Sequence, residues 1–491
     1  MPNKDYLTAT DFYQFVQCPH WPYYKRFATQ DEQALVREIS DSEIKRMENG
    51  VAHELDVVQR LMKGGAVIEA PHSDDAVAGA DATMELMRKG VATIFQGTLT
   101  DGDWTGRPDL LERREGESSL GSWHYVPVDV KSTHALEKYQ KLQLVFYATL
   151  LERAQGRFPE EPAIINGDGE RISFDAKAML PEFEVCVVEL ERIRAGEKPD
   201  PVLRKSCYDT GPWGRVCEQY AKETNDIALL FNVDVKKLRL LRGMGVRTIQ
   251  DAAEMDPVTL DGTAPGLRTH GLEVMKRQAQ SLLTQSVIIR EPIHLPSPSL
   301  EIHFDIESDP PNDVDYLYGF LIRQPDGSET YRPFVAETLA GEAAMWKSFL
   351  VWLETLPSEY VVYHYSMYEM TRLALMEKRY GGSMWLNLFR ANMVDLKEIV
   401  THSVTFPLYF YGLKYIAKFL GFSWSGDVTG GGQSVDVFEK YIETGDRALL
   451  DSIIQYNQDD VKATAHLKDW IVKYATEVTS YEPPFTWNER T

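Results

Sequence analysis

The chain has 491 residues, 43% of them apolar and 11% aromatic, with a formal net charge of −22. At roughly 100–200 residues per domain this length holds two to four cores, and the apolar share excludes a disordered chain. The acidic balance excludes coating of nucleic acid through bulk charge, so any contact with it needs a confined basic strip on an acidic body.

No run of about 18 apolar residues marks a membrane span, and the opening MPNKDYLTATDF lacks the apolar stretch of a signal peptide. The four cysteines, Cys18, Cys186, Cys207 and Cys217, are too few for a disulfide scaffold, so a reduced cytoplasmic protein is expected. In chain order, Thr10 and Asp11 can cap a first helix that ends before Pro19, and 41–63 reads as a long helix. Residues 90–131 alternate as strands, with polar turns at TDGDWTG and ERREGESSLG. A helix over 133–153 follows, with Leu136, Tyr139, Leu142, Phe146 and Leu150 at helical spacing, and another is expected near 180–195.

The first acid cluster falls on these elements. In VDVK, Asp129 and Lys131 are two apart on a strand and share a face, while Val128 and Val130 turn to the other. Asp109, after GRP, can approach from a neighbouring strand. Two carboxylates and the Lys131 carbonyl offer hard oxygens suited to magnesium or manganese. Such an ion makes hydroxide from water and polarises a phosphate, and Lys131 can hold that water or meet developing charge. Gln143 and Tyr147 share a face of the next helix, and His53 offers a third ligand from the helix before.

This set resembles the RecB-like branch of the PD-(D/E)xK nucleases over about residues 7–220: a helix-borne His, G-x-x-D, (D/E)-x-K and Q-x-x-x-Y, in that order. The resemblance implies metal ligands at His53, Asp109 and Asp129, and catalytic roles for Lys131, Gln143 and Tyr147. Relatives in this branch often carry an iron–sulfur cluster on one Cys near the N-terminus and C-x2-C-x5-C at the domain end. Here Cys18 and Cys217 match the outer positions, Gly211 and Tyr208 stand at the inner ones, and Cys207 is displaced by one. A cluster with altered ligands and a loop that packs without metal both fit this pattern. Cys186, in EVCVVEL, reads as core.

Residues 222–285 read as helical and more basic. Within VKKLRLLRGMGVRTIQDAA (235–253), Gly243 and Gly245 free backbone N–H groups for a phosphate, and Lys236, Lys237, Arg239, Arg242 and Arg247 add local positive charge. The segment resembles a helix-hairpin-helix module, which implies contact with the nucleic-acid backbone without sequence reading. Pro292, Pro296 and Pro298 mark 286–299 as a linker.

From residue 300 a second α/β pattern begins: strands LEIHFDIE and YLYGFLIR, a helix near 338–356, the strand EYVVYHY, a helix from about 366 to 379, a Gly-rich loop at 430–432 and a helix pair over about 434–475. Asp305 and Glu307 share one strand face, with Phe304 and Ile306 turned to the core. Glu369 opens a helix, and Tyr456 and Asp460 lie four apart on a late one. Four acids converging lead to the expectation of a two-metal site, with the Tyr456 hydroxyl orienting the attacking water. This set resembles the DEDDy branch of the ribonuclease H-like 3′–5′ exonucleases over about 300–475, which implies metal ligands at Asp305, Glu307, Glu369 and Asp460. The branch usually has Asp where Glu369 stands. VDL at 394–396 and GLKYIAKFLG at 412–421 resemble the middle of bacterial members, and Asp395 can assist or cap a helix.

The expected fold class is therefore α/β multidomain: a restriction-endonuclease-like (RecB-like) domain over 1–221, a helix-hairpin-helix connector over 222–285, a linker over 286–299 and a ribonuclease H-like mixed-sheet domain over 300–491. The order resembles a bacterial family of RecB-like nucleases with a C-terminal DEDDy domain. It implies a magnesium- or manganese-dependent nuclease on single-stranded DNA or DNA ends, in repair or in defence against mobile elements. A non-catalytic DNA-binding scaffold and a ribonuclease are the alternatives. The sequence has no G-x-x-x-x-G-K-[ST] loop, so a helicase or defence-system partner would act in trans.

Overall fold

The computed structural model describes the chain except residues 1–4, 40–43, 45–46, 49, 51, 53–54, 58, 61–66, 134–135, 205, 208–210, 311, 427, 429, 486 and 488–491. His53 and Tyr208 thus lie outside the described residues, as does much of the helix expected over 41–63. The chain is a mixed α/β protein of two compact units, Met1–Tyr220 and Ala221–Thr491.

The first unit is built on a six-stranded mixed sheet whose spatial order follows the chain: β1 (Val67–Glu69), β2 (Thr93–Phe95), β3 (Leu110–Ser118), β4 (Gly121–Val130), β5 (Ala163–Ile165) and β6 (Arg171–Ser173). The long β3–β4 hairpin is antiparallel, and β4 pairs parallel with β5. The unit's helices include α1 (Ala9–Gln17), α2 (His20–Phe27), α3 (Lys138–Gln155) and α4 (Leu180–Arg194), and α5 (Gly214–Glu223) follows at its end. Helix α3 begins later than its apolar spacing suggests, because Glu137 forms the N-cap and pairs reciprocally with Gln140. Its inner face, with Leu142, Phe146 and Leu150, packs with Phe12 and Phe15 of α1 and Phe183 of α4.

The second unit opens with the helix pair α6 (Val235–Gly243) and α7 (Ile249–Glu254). The stretch expected as a linker is integrated: β7 (Val287–Ile289) is the middle of a three-stranded sheet, and Ile293 is buried in the adjoining core. The main sheet has five strands: β8 (Glu301–Asp309), β9 (Val314–Arg323), β10 (Glu329–Val335), β11 (Val361–His364) and β12 (Met393–Asp395), in the order β10-β9-β8-β11-β12. The first three pair antiparallel, and β8, β11 and β12 pair parallel. Ile302, Phe304 and Ile306 of β8 fill one side with Phe320, Phe349 and Phe389, which turns Asp305 and Glu307 to the other. Over that side runs α8 (Arg447–Tyr474), 28 residues long. It is preceded by α9 (Gly431–Thr444), so the glycines expected as a loop start a helix, with Gly430 as its N-cap. Among the described residues, no helix is long and apolar enough to cross a membrane.

Candidate metal centres

The central strand β8 delivers Asp305 and Glu307, and helix α8 delivers Asp460. One carboxylate oxygen of each lies within 4.8 Å of the others; among the described residues this is the set of three or more metal-capable side chains so gathered. Glu307 and Asp460 are buried, and Asp305 is half-buried. Burial, then the neighbouring Asp460 and Glu307, holds the Asp305 carboxyl well above the usual range. Burial, then Asp460, pushes Glu307 up to about 8. Burial also raises Asp460, although Lys414 and bonds from Trp424 and Tyr456 oppose it. Three carboxylates this crowded ionise together only if a cation compensates them.

The surrounding side chains fix the acids rather than neutralise them. Asn457 Nδ2 donates to Asp305 Oδ2 at 2.7 Å, and Trp424 Nε1 donates to Asp460 Oδ1 at 2.6 Å. The Tyr331 hydroxyl donates to Asn457 Oδ1 at 2.8 Å, which sets the amide orientation. Opposite Asp305 in the β8–β9 register stands Gly319, where an added Cβ would sit 1.5 Å from Asn457 Oδ1. That glycine is therefore the seat of the amide. Lys414 Nζ lies 4.4 Å from the centroid of the Tyr456 ring, and burial lowers its pKa against the pull of Asp460, Glu307 and Asp305. Burial, then Asp460, raises the Tyr456 phenol, so it stays protonated and can orient a water but not deprotonate one.

Glu369 is brought to this side but not into the set of three. It sits in the first turn of the helix Tyr368–Tyr380, buried, with Oε2 3.4 Å from His364 Nδ1. Its charge adds to the raising of Asp305. Asp395 caps a helix: it accepts from Lys397 N at 2.8 Å and from Ser366 N at 2.9 Å. Lys414, Trp424, Asn457 and Gly319 escaped the sequence reading. Lys414 lies inside GLKYIAKFLG and Asn457 beside Tyr456, yet only folding shows their targets.

In the first unit, the pairing of Leu110 with Val128 sets Asp109 beside Asp129. Val130 N donates to Asp109 Oδ2 at 2.7 Å, and Asp109 N donates to Asp129 Oδ1 at 3.3 Å. Lys131 Nζ is 3.2 Å from Asp129 Oδ2 and 3.6 Å from Asp109 Oδ2. Here an ammonium of the chain itself sits between the carboxylates. On α3, Gln143 donates to the Ala9 carbonyl at 3.3 Å. Tyr147 packs where a Cβ on Gly106 would come within 2.8 Å of its ring, so Gly106 clears room for Tyr147.

Three of the four cysteines converge. Cys18 and Cys217 Sγ are 3.7 Å apart, and His20 Nδ1 lies 2.8 Å from Cys217 Sγ. Cys207 is buried in the same cluster, while Cys186 packs in the main core. His20 was overlooked in the sequence, although it stands only two residues after Cys18.

In the basic helix pair, Gly243, Gly245, Lys236, Arg239 and Arg247 are exposed, and Gly245 has φ of +89°. Lys237 Nζ is 3.3 Å from Asp234 Oδ2. Arg242 corrects its expectation: it is buried, and its Nη2 donates to Asp226 Oδ1 at 2.6 Å. It braces the helix pair and does not face a phosphate.

A family model described as the RNase_H superfamily matches residues 302–472. The match spans Asp305, Glu307, Glu369, Tyr456 and Asp460, and the C-terminal region is RNase H-like. Five chains of solved structures match. Among them is the family B DNA polymerase from the hyperthermophilic archaeon Pyrobaculum calidifontis, 20% identical with a TM-score of 0.27, over 37% of this chain and 25% of that one. The likeness thus spans about a quarter of the polymerase chain. No curated protein matches.

Proposed function

We propose that the chain is a metal-dependent nuclease that hydrolyses phosphodiester bonds, with single-stranded DNA or DNA ends as substrate and magnesium or manganese as its ion. The observation that carries this reading is the gathering of Asp305, Glu307 and Asp460 within 4.8 Å on an RNase H-like sheet. These hard oxygens fit such an ion, which when bound would make hydroxide from water and take up charge on the scissile phosphate. Asn457 and Trp424 hold Asp305 and Asp460 in place, and the protonated Tyr456 hydroxyl orients the attacking water. Lys414 meets charge that develops on the phosphate. Glu369 joins the set by turning away from His364.

The first unit is read as a PD-(D/E)xK-like second site, with Asp109, Asp129 and Lys131 at its centre and Gln143 and Tyr147 behind them. One observation favours a binding role there: Lys131 already bridges both carboxylates. Exposed Lys236, Arg247 and the glycine turn supply contacts to the nucleic-acid backbone. An unwinding partner, in repair or in defence against mobile elements, acts in trans.

Labelled single-stranded DNA, duplex and RNA, each with magnesium, manganese or chelator, test this reading. Cleavage is expected to need the ion and to vanish in Asp305→Asn. Ion-dependent cleavage of RNA alone would make the protein a ribonuclease. Equal cleavage by the wild type, Asp305→Asn and Asp129→Asn would sink both site assignments.

A further inference from the structure

The second unit contains a cleft of about 710 Å³ that neither acid centre uses. One part of its wall is the helix Thr269–Thr284, with His270 and Val274, together with Arg290 just after β7. Another is the helix Leu396–Ser403, with Lys397 and Thr401, and Ser366 and Met367 complete it from the turn after β11. His270, Val274 and Arg290 precede the stretch 302–472 that matches the RNase_H superfamily, so part of this wall comes from outside that region.

We propose that the cleft holds a nucleotide of the substrate strand beyond the scissile bond, with Arg290 and Lys397 on its phosphate and Met367 and Val274 against its base. The inference rests on the nuclease reading and deepens it by placing the strand.

The cations of the cleft lack partners of opposite charge. Among the described residues, neither Arg290 nor Lys397 forms an ion pair. Arg290 is half-buried: its Nη2 donates to the Thr401 carbonyl at 2.6 Å, and its buried Nε makes no hydrogen bond. Burial, aided by Arg277 and opposed by Tyr411 and Glu291, lowers its pKa, so the fold holds this charge at a cost that an anion would offset. The nearby carboxylates are engaged or exposed. Asp395 accepts from Ser366 N and Lys397 N at 2.9 and 2.8 Å, Glu291 Oε2 is 3.0 Å from His402 Nε2, and Glu398 is exposed. On a body of net charge −22, two unmatched cations in one cleft are the confined basic strip that contact with nucleic acid requires.

Size and position agree with this. Pockets of about 300–1,000 Å³ take small ligands, and this one admits a nucleotide. The turn with Ser366 and Met367 leads directly into the helix Tyr368–Tyr380, whose first turn carries Glu369, so the cleft lies beside the acid centre. Ser366 has φ of +95°, a strained value for a residue with a side chain. Its carbonyl lies 2.7 Å from His364 Nδ1, and its N–H is held by Asp395. Met367, 60% exposed, offers an apolar surface that a base can cover.

Binding is read on the full-length chain in chelator, where no strand is cut, with fluorescein-labelled oligothymidylate as the probe. Lys397→Met and Arg290→Met should each weaken binding at least about tenfold and make the slope of log affinity against log salt shallower by about 0.7. Lys397→Arg should restore both, and Met367→Ala should weaken binding with the slope unchanged. Lys397→Met decides the matter even if Arg290→Met fails to fold. Wild-type affinity and slope in Lys397→Met would overturn the proposal, as would thymidine monophosphate bound in the cleft that oligothymidylate does not displace. Weakened binding in these variants with no ion-dependent cleavage by the wild type would keep the cleft and sink the nuclease reading. Ion-dependent cleavage with binding unchanged in the variants would do the reverse.

Discussion

The two acid centres use the same atoms and reach opposite charge balances. In the first unit, two carboxylates share one lysine at 3.2 and 3.6 Å, so the chain supplies most of its own compensation. In the second, Asp305, Glu307 and Asp460 crowd together with Glu369 nearby, and among the described residues Lys414 is a cation that acts on all three. A carboxylate pair can rest on its own lysine. A carboxylate triad on a buried strand needs something from solution.

The contrast breaks most sharply if the wrong centre does the chemistry. Asp305→Asn should lower ion-dependent cleavage at least about 100-fold, measured as kcat on labelled single strands, with a smaller loss in Asp129→Asn. The reverse order would move the chemistry to the first unit. Next comes a pH window. Glu307 rises from 4.5 in the open chain to about 8 when folded, so its contribution to stability is fully present below 4.5 and lost as pH rises through 8. Chelated protein should therefore lose several degrees of Tm, roughly, across that window, and manganese should restore them most at the alkaline end. A manganese effect that is flat with pH would count against the triad as the binding site.

Lys131→Met turns the first centre into an acid excess like the second. Chelated protein should lose about 2 kcal/mol in urea unfolding, and its stabilisation by manganese should grow. No change in the manganese effect would show that the pair does not bind ions. Gly319→Ala forces Asn457 off Asp305 and should cost about 1–3 kcal/mol, with kcat falling while KM holds. The smallest effect is expected at the helix pair. Arg247→Ala should lower the slope of nucleic-acid affinity against salt by about one unit. Arg242→Ala should instead reduce stability, by about 3 kcal/mol, because it removes the guanidinium that pairs with buried Asp226.

The acids and the strands that carry them were legible because alternation and i,i+4 spacing are local rules. Asp305, Glu307, Tyr456 and Asp460 could be placed on shared faces from sequence alone. The amide clamp of Asn457, the indole of Trp424 and the glycine seat at position 319 obey no local rule, since each is defined by a partner far along the chain. Arg242 misled for a related reason: in a run of basic residues, nothing local shows which one turns inward to Asp226. The stretch with Pro292, Pro296 and Pro298 read as a linker because prolines dominate it, while the adjacent β7 is too short to declare itself until its neighbours pair with it.

Helix α8 carries Tyr456, Asn457 and Asp460 within five consecutive positions of a rod about 42 Å long. Farther along, Lys468 and Asp469 clamp that rod to Glu301 and Arg323 at 2.5 and 2.8 Å. Those three contributions therefore travel as one body, and loosening the distal clamp should blur all of them together. Double substitutions among them should cost less than the sum of the single ones, and backbone amides through this stretch should share one slow rate of hydrogen exchange.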